Sequence, residues 1–494
     1  MPTADIIYLD GVVAQVERIT KGEAKALSNA FKFRDPGFQF RRSRHLGWDG
    51  YTLFFNEQNG KFLAGLVPEV KYALEKHFGY NVDIYREKGI AELPIFDESL
   101  ISPDLVTVKK DDLEFPMRDW QMEAIWRIVE NGRGIIAGCT GAGKTMVEAA
   151  LLKLAAGRPS LLLFREPGKA LLYQTIEEMI KFGIDEKLIG ICQGENFKPG
   201  RYMFCMAQSL PKLEETGVLP LFEFLMADEV HNGMVTNSVA PFLRKAKKAT
   251  CRVGFSATWD KKKDQVHNYK LKGHFGMELI EVLETEMQGQ GFLSQSQNHF
   301  VKFYTPDDGP QSENMSWIPA YRQYVVENDW LHQRIAKLVN EVSYGRVLVL
   351  VGWKDAGRAL TALVPDMYWV CGDDKQSYRE ELRNKMRNAG TKVKVCSTKI
   401  FGTGMDIYIH DLINISLPSA KNTDAEILQS FGRGLRKAPD KKYARYFHPI
   451  PMMNKHLREH ALSCVKELEK RGHQVIVHEC FADLFEYVAA NPVH

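Results

Sequence analysis

Gly134-Ile135-Ile136-Ala137-Gly138-Cys139-Thr140-Gly141-Ala142-Gly143-Lys144-Thr145 is an apolar run, a glycine-rich turn and the start of a helical stretch. From Gly138 to Thr145 it fits G-x-x-x-x-G-K-[ST], in the strand–loop–helix setting that this pattern requires. The glycines let backbone N–H groups of Gly138, Cys139, Thr140, Gly141, Ala142 and Gly143 turn towards phosphate oxygens. The following helix start adds its partial positive charge. Lys144 is expected to reach the β- and γ-phosphates of a nucleotide, and Thr145 to ligate Mg²⁺.

A phosphate loop needs an acidic partner on a neighbouring strand. Asp228-Glu229-Val230-His231 follows the apolar run Phe224–Ala227. A carboxylate at a strand's C-terminal end suits the metal side of such a site, so Asp228 is the expected Mg²⁺ contact. Glu229 is placed to polarise an attacking water. His231 is expected to sense the γ-phosphate.

The same alternation extends in both directions. Apolar runs at 134–137, 161–164, 202–206, 224–227 and 252–255 alternate with helical stretches, as do runs at 347–351, 367–370, 393–396 and 412–415. Strands alternating with helices imply doubly wound parallel sheets, two of them here. Residues 1–112 read as a smaller α/β unit with a linker. Strands are expected at 11–16, 38–42 and 51–55, a hairpin at Asn59-Gly60, a capping box at Thr20-x-x-Glu23 and a helix opening at Pro68. The expected boundaries are 1–112, 113–300, 301–450 and a helical extension at 451–494.

Composition sets limits. The 494 residues are 45% hydrophobic and 26% charged, with a net charge of +3. These values fit ordinary globular domains and exclude a mostly disordered chain. Any polyanion-binding surface must therefore be local. Eight cysteines form no C-x-x-C pair, which suits buried thiols in a reducing compartment. His448, His456 and His460 have no acidic or cysteine partner that would complete a zinc set. No signal peptide and no run long enough to span a bilayer is read.

The ordered set of motifs resembles superfamily 2 helicases. Arg118-x-x-Gln121 resembles the adenine-reading motif before the phosphate loop. Ser256-Ala257-Thr258 resembles the motif coupling hydrolysis to movement on DNA. Gly402-Thr403-Gly404-Met405-Asp406 resembles the fifth motif, with Gly404 and Asp406 on the nucleotide. Gln429-Ser430-Phe431-Gly432-Arg433-Gly434-Leu435-Arg436 resembles the sixth, with Gln429, Arg433 and Arg436 acting on the transferring phosphoryl group. The segment 164–171 and Met206–Leu210 depart from the usual DNA-contacting patterns.

Gly37-Phe38-x-Phe40, Gly47-Trp48-Asp49-Gly50, Gly65-Leu66 and Phe78-Gly79-Tyr80 are similar to the N-terminal domain of phage recombination helicases of the UvsW type. The resemblance implies two RecA-like doubly wound parallel-sheet domains preceded by a small α/β domain. It implies ATP and Mg²⁺, and a partner DNA that is branched or duplex-containing, with RNA–DNA hybrids among the substrates. The setting implied is the cytoplasm, that of the host for a phage protein. The implied activity is remodelling of forks, Holliday junctions, D-loops and R-loops in recombination, replication and repair. A duplex translocase that does not separate strands stays open. So does a DNA-structure-binding protein whose ATPase only resets binding.

Lys32, Arg34, Arg41, Arg42 and Arg44 outnumber Asp35 and Asp49 in the segment 31–50. Arg41, Arg42 and Arg44 are candidates for phosphate contacts, with Trp48 beside them for stacking or wedging. The clusters Arg244–Lys248 and Lys261–Lys263 read as solubilising surface.

Overall fold

The computed structural model describes residues 1–36, 38, 48–90, 96–110, 113–165, 169–257, 264–305, 313–388, 390–398, 407–416, 431–441 and 443–492. Two compact units emerge. One holds Met1–Gly138 and Gly143–Glu281, the other Cys139–Ala142 and Val282–His494.

The first unit begins with β1 (Thr3–Tyr8), β2 (Val13–Glu17), β3 (Lys32–Arg34), β4 (Tyr51–Leu53), β5 (Lys61–Leu63) and β6 (Asn81–Arg86). Four of them form a sheet in the order β5-β2-β1-β6, while β3 and β4 make a separate hairpin. Thr20 and Glu23 close the expected capping box on the helix Lys21–Ala30. Pro68 lies in the first turn of the helix Val67–His77. At the Asn59-Gly60 turn, Gly60 adopts φ +67° and Phe55 pairs with Phe62 across the hairpin. The strand read at 38–42 falls, apart from Phe38, outside the described residues.

This small sheet is sealed onto the larger one that follows. Its core of Ile6, Leu27, Leu66 and Leu74 includes Val266, from the helix Gln265–Phe275. Tyr269 of that helix packs against Phe33, ring centroids 4.2 Å apart. A Cβ on Gly11 would collide with the Ala249 carbonyl, and one on Gly65 with the Lys272 carbonyl. Only glycine permits such an approach of two backbones. Lys272 and Glu69 pair across the join at 2.6 Å.

After a short hairpin of β7 (Val108–Lys110) and β8 (Leu113–Phe115), the large sheet is built from eight strands. They are β9 (Arg133–Gly138), β10 (Ser160–Phe164), β11 (Ile189–Gln193), β12 (Asn196–Lys198), β13 (Tyr202–Met206), β14 (Phe224–Ala227), β15 (Cys251–Ser256) and β16 (Glu278–Val282). Their order is β12-β11-β13-β10-β14-β15-β9-β16. β9, β10, β13, β14 and β15 are buried at every residue and contain the five runs read from sequence. Burial on both faces is what makes a parallel strand a continuous apolar run.

The second unit holds β17 (Gln295–Phe303), β18 (Arg346–Val351), β19 (Met367–Val370), β20 (Val393–Thr398), β21 (Asp411–Asn414), β22 (Tyr443–Pro451) and β23 (Val475–His478). All seven are parallel, in the order β19-β20-β18-β21-β22-β17-β23. The boundary expected at residue 300 falls inside β17. The extension expected at 451–494 instead supplies β23, which pairs with β17, and the helices Lys455–Lys470 and Phe481–Ala490. β22 hid because it carries Arg445, His448, Pro449 and Pro451, and proline argues against an interior strand.

Seven cysteines are buried and Cys480 is exposed. Among the described residues no helix is long and apolar enough to cross a membrane.

Candidate functional site

Three neighbouring strand ends assemble the site. The register pairs Ala227 of β14 with Gly254 of β15, and Ser256 of β15 with Ala137 of β9. The residues after each strand therefore emerge at one edge of the sheet, where parallel α/β sheets hold their ligands.

The loop after β9 uses its glycines as expected. Gly141 and Gly143 adopt φ +84° and +95°, and Gly143 caps the helix Lys144–Leu154. Lys144 Nζ donates to Gly138 O at 2.9 Å, curling over the loop. A phosphate in that position offers the ammonium a charged acceptor in place of the carbonyl, a stronger bond.

Gln121 departs from the reading. It is almost fully buried, and both ends of its amide are used. Oε1 accepts from Arg118 N at 2.8 Å, and Nε2 donates to Gly143 O at 3.0 Å. Gln121 sits at the third position of the helix Asp119–Asn131, where capping geometry turns it back on the chain. The amide assigned to an adenine edge thus props the phosphate loop.

At the end of β14, Asp228 Oδ1 accepts from Glu229 N at 2.9 Å. Glu229 has φ +47°, a conformation that costs a non-glycine residue roughly 1–3 kcal/mol. The reward is aim. Glu229 Oε2 accepts from Ala257 N at 3.3 Å and lies 3.4 Å from His231 Nδ1. His231 Nδ1 also meets Ser256 Oγ at 2.7 Å. Burial holds His231 below its ordinary range, with Glu229 opposing and Lys144 reinforcing the shift. Ser256 and Ala257, expected to couple hydrolysis to movement, thus touch the acidic box directly. Thr258 lies outside the described residues.

Sequence reasoning missed Glu148. Its carboxyl is buried on the helix after the phosphate loop. Burial raises it well above the usual carboxylate range. Asp228, Glu178 and Glu229 raise it further, and Lys144 opposes them. The only signal was an acid inside the apolar stretch Met146–Leu152. Among the described residues no group of three or more His, Cys, Asp or Glu side chains is placed to hold a metal, so the oxygen donors that would hold Mg²⁺ are Thr145, beside Lys144, and Asp228, after β14.

In the second unit, Arg433 is buried and Arg436 half-buried. Their backbone is pinned from two sides. Ser294 N donates to Leu435 O at 2.7 Å, and Leu293 bridges to Arg436. Lys441 Nζ donates to the carbonyls of Gly434 and Arg436. Burial, with Arg346 nearby, pushes the Lys441 ammonium down to about 7. Lys441 was not singled out in the sequence, because its partners are carbonyls that no pattern marks. Within this same unit, a Cβ on Gly432 would lie 2.9 Å from the Cβ of Thr140.

Gly404, Asp406 and Gln429 lie outside the described residues, as do Arg41, Arg42 and Arg44. Trp48 is described, and its Nε1 donates to Tyr51 O at 2.9 Å while its ring meets Phe38 edge-on. It therefore closes its own hairpin.

Two RecA-like sheets, parallel apart from the edge strand β12 of the first, one with a phosphate loop and acidic box and one with a braced pair of arginines, give the chain its resemblance to superfamily 2 helicases and translocases. That resemblance implies ATP with a divalent cation. The family described as type III restriction enzyme, res subunit, matches residues 114–261. The DNA 3'-5' translocase XPB2 of Sulfurisphaera tokodaii is 24% identical over 383 residues, covering 69% of this chain and 83% of its own. The HsdR subunit fragment of a type I restriction enzyme from Vibrio vulnificus YJ016 has a TM-score of 0.55 at 16% identity, covering 94% of this chain and 84% of that one. Saccharomyces cerevisiae Dbp5 bound to RNA and ADP BeF3 gives 0.54 at 15% identity, covering 75% and 92%. Bacteriophage T4 UvsW is similar over 97% of this chain and 99% of its own, at 16% identity and a TM-score of 0.48. At these identities the HsdR and Dbp5 matches, the two above a TM-score of 0.5, show the fold alone.

Proposed function

We propose that the protein is an ATP-dependent DNA helicase that unwinds or branch-migrates forks, Holliday junctions, D-loops and R-loops in recombination, replication and repair. The reading places it in the cytoplasm, that of the host if the chain is of phage origin. The observation that carries the motor reading is the bonding of Ala257 N and Ser256 Oγ to Glu229 and His231. A carboxylate that orients a water for attack on the γ-phosphate is thereby wired to the backbone following β15. Any shift of Glu229 as charge leaves the γ-phosphate is felt there without an intermediary.

Each residue has a physical task in this reading. Lys144 leaves Gly138 O for the β- and γ-phosphates. Thr145 and Asp228 hold the cation, which supplies charge neutralisation on the phosphates. Glu229 takes the proton of the attacking water, and neutral His231 shares that carboxylate and Ser256. Arg433 and Arg436 stabilise the transferring phosphoryl group. Gly404, Asp406 and Gln429 complete the nucleotide contacts.

A second reading is translocation on duplex DNA without strand separation. It is favoured by the name of the S. tokodaii relative, a DNA translocase, and by the restriction-subunit family match. Strand displacement on forked, blunt and R-loop substrates, run beside displacement of a third strand from a duplex, separates the two. Third-strand displacement alone supports the translocase. ATP hydrolysis with neither displacement leaves a DNA-structure-binding protein that ATP resets. No hydrolysis with single-stranded, duplex or four-way DNA overturns the motor reading.

A further inference from the structure

A groove of about 910 Å³ runs along the join between the small N-terminal sheet and the large sheet, wholly within the first unit. Its walls carry Lys25, Lys32, Lys61, Arg244, Lys247 and Lys270 against two carboxylates, Asp10 and Glu57, with Asp49 Oδ2 beside them accepting from Lys32 at 3.2 Å. The chain as a whole carries a net charge of only +3, so this is a strong local concentration of cations. Asp10 is largely committed elsewhere. Its Oδ1 accepts from Val12 N and Val13 N at 2.7 and 2.8 Å, and its second oxygen lies 3.8 Å from Lys247 Nζ.

The cations come from both sides of the join. Lys25 lies on the helix Lys21–Ala30, Lys32 on β3 and Lys61 on β5. Arg244 and Lys247 lie on and just after the helix Ala240–Lys245, and Lys270 lies on the helix Gln265–Phe275. Their spacing is fixed in advance. The close approaches at Gly11 and Gly65 lock the two sheets together. Arg133 Nη2 adds a bond to Gly11 O at 3.2 Å, and Lys272 pairs with Glu69. A track that need not be assembled on binding loses less free energy to ordering.

The groove offers charge but no stacking platform. Its aromatic residues, Phe54, Phe55 and Phe62, are 7%, 1% and 5% exposed, with their rings turned into the core. Binding of unpaired bases relies on exposed aromatic faces. A surface with cations and no exposed ring reads the backbone of a strand whose bases are already stacked and paired.

We propose that this groove holds the phosphate backbone of duplex DNA, with cations of the ATP-binding sheet and of the N-terminal sheet acting as one track. The proposal rests on the reading of the chain as a DNA motor, and it names where the duplex is gripped. The basic residues at 244–248 gain a role here that their sequence alone does not suggest. The helix carrying Lys270 also carries His267, which lies near His231, so one helix lines both the groove and the surroundings of the acidic box.

The test uses the full chain with Lys25, Lys61, Arg244 and Lys247 all replaced by alanine, four exposed side chains. Anisotropy of a labelled blunt DNA duplex is measured across a salt series without nucleotide, with a single strand of equal length in parallel. Each lost phosphate contact removes about 0.9 from the slope of log K against log salt. The expected result is a duplex slope lower by roughly three to four, and a smaller change for the single strand. An unchanged duplex slope with an unchanged melting temperature overturns the proposal. So does a loss confined to the single strand. If the fourfold variant melts early, R244A/K247A is used, with an expected slope change of about two. Absence of duplex binding by the wild-type chain counts against the motor reading itself, which separates the two failures.

Discussion

The two large sheets are built alike, yet they treat buried arginines in opposite ways. In the first, Arg252 donates to the carbonyls of Ala249, Leu243 and Ala246, and Arg133 to those of Gly11 and Thr250. Burial pushes Arg252 down to about 9 and lowers Arg133. In the second, Arg445 forms a two-pronged pair with Asp411 at 2.7 and 2.6 Å, and Arg346 pairs with Asp440. The difference shows what each sheet does with its carboxylates. The first gathers Asp228, Glu229 and Glu148 at the nucleotide edge and holds its structural arginines with backbone alone. The second has no acidic box at a phosphate loop, so its carboxylates are free to neutralise the frame around Arg433 and Arg436.

The largest expected effect tests the acidic edge. Glu229→Gln should abolish ATP turnover while keeping ATP binding, because only the proton-accepting group is lost. Lys144→Ala should lose nucleotide affinity as well. Full ATPase activity of Glu229→Gln would falsify the assignment. On the other side of the comparison, Arg433→Ala should slow turnover by ~10³-fold with ATP affinity little changed. A loss under about tenfold at saturating ATP and DNA transfers that role to Arg436.

Next comes the frame. Asp411→Ala strands the Arg445 guanidinium in the core and should destabilise the second unit by about 3–5 kcal/mol. Chemical denaturation read by hydrogen exchange over β21 and β22 measures it. If the loss is under about 1 kcal/mol, carbonyl acceptors such as Val342 O suffice and the contrast between the sheets disappears. Lys441→Met removes the ammonium bracing the Gly434 and Arg436 carbonyls, and should slow turnover by ~10²-fold through misplacement. Wild-type turnover would show that Ser294 and Leu293 brace the loop unaided.

Acid stability tests the second unit as a whole. Burial holds His299 and His448 down to about 3, and His473 to about 4, all in the second unit. The unfolded chain takes up these protons first, near pH 6.5, so stability is full above that pH and falls as pH drops towards 3. By pH 5 each site should have lost about 2 kcal/mol. A denaturation midpoint for this unit that stays flat from pH 7 to about 5 would contradict these assignments.

Much of this was legible in the residues, for identifiable reasons. Strands buried largely on both faces read as apolar runs; nine runs were found, the edge strand β19 with its exposed Tyr368 among them. β17 and β22 were not, because they bury polar side chains satisfied from distant parts of the chain. Asn298 donates to Gln474 O, His299 contacts His478, and Arg445 meets Asp411. The phosphate loop was legible because its chemistry is local. Glu148 and Lys441 were not, since their roles come from partners brought near by folding. The bonds of Gln121 to Arg118 N and Gly143 O were not legible, because a helix-capping position and a base-reading position present the same residue type.

The join at Gly11 and Gly65 sets a schedule for synthesis. Glu69 must wait for Lys272, which lies 203 residues later in the chain. At about 5–20 residues per second, that wait is roughly 10–40 s. Throughout it, the small sheet lacks Val266 and Tyr269 and presents an unfinished apolar face to the cell. Its sequence is therefore under pressure to stay soluble while half-built, a demand on the ribosome-bound chain that the finished protein no longer reveals.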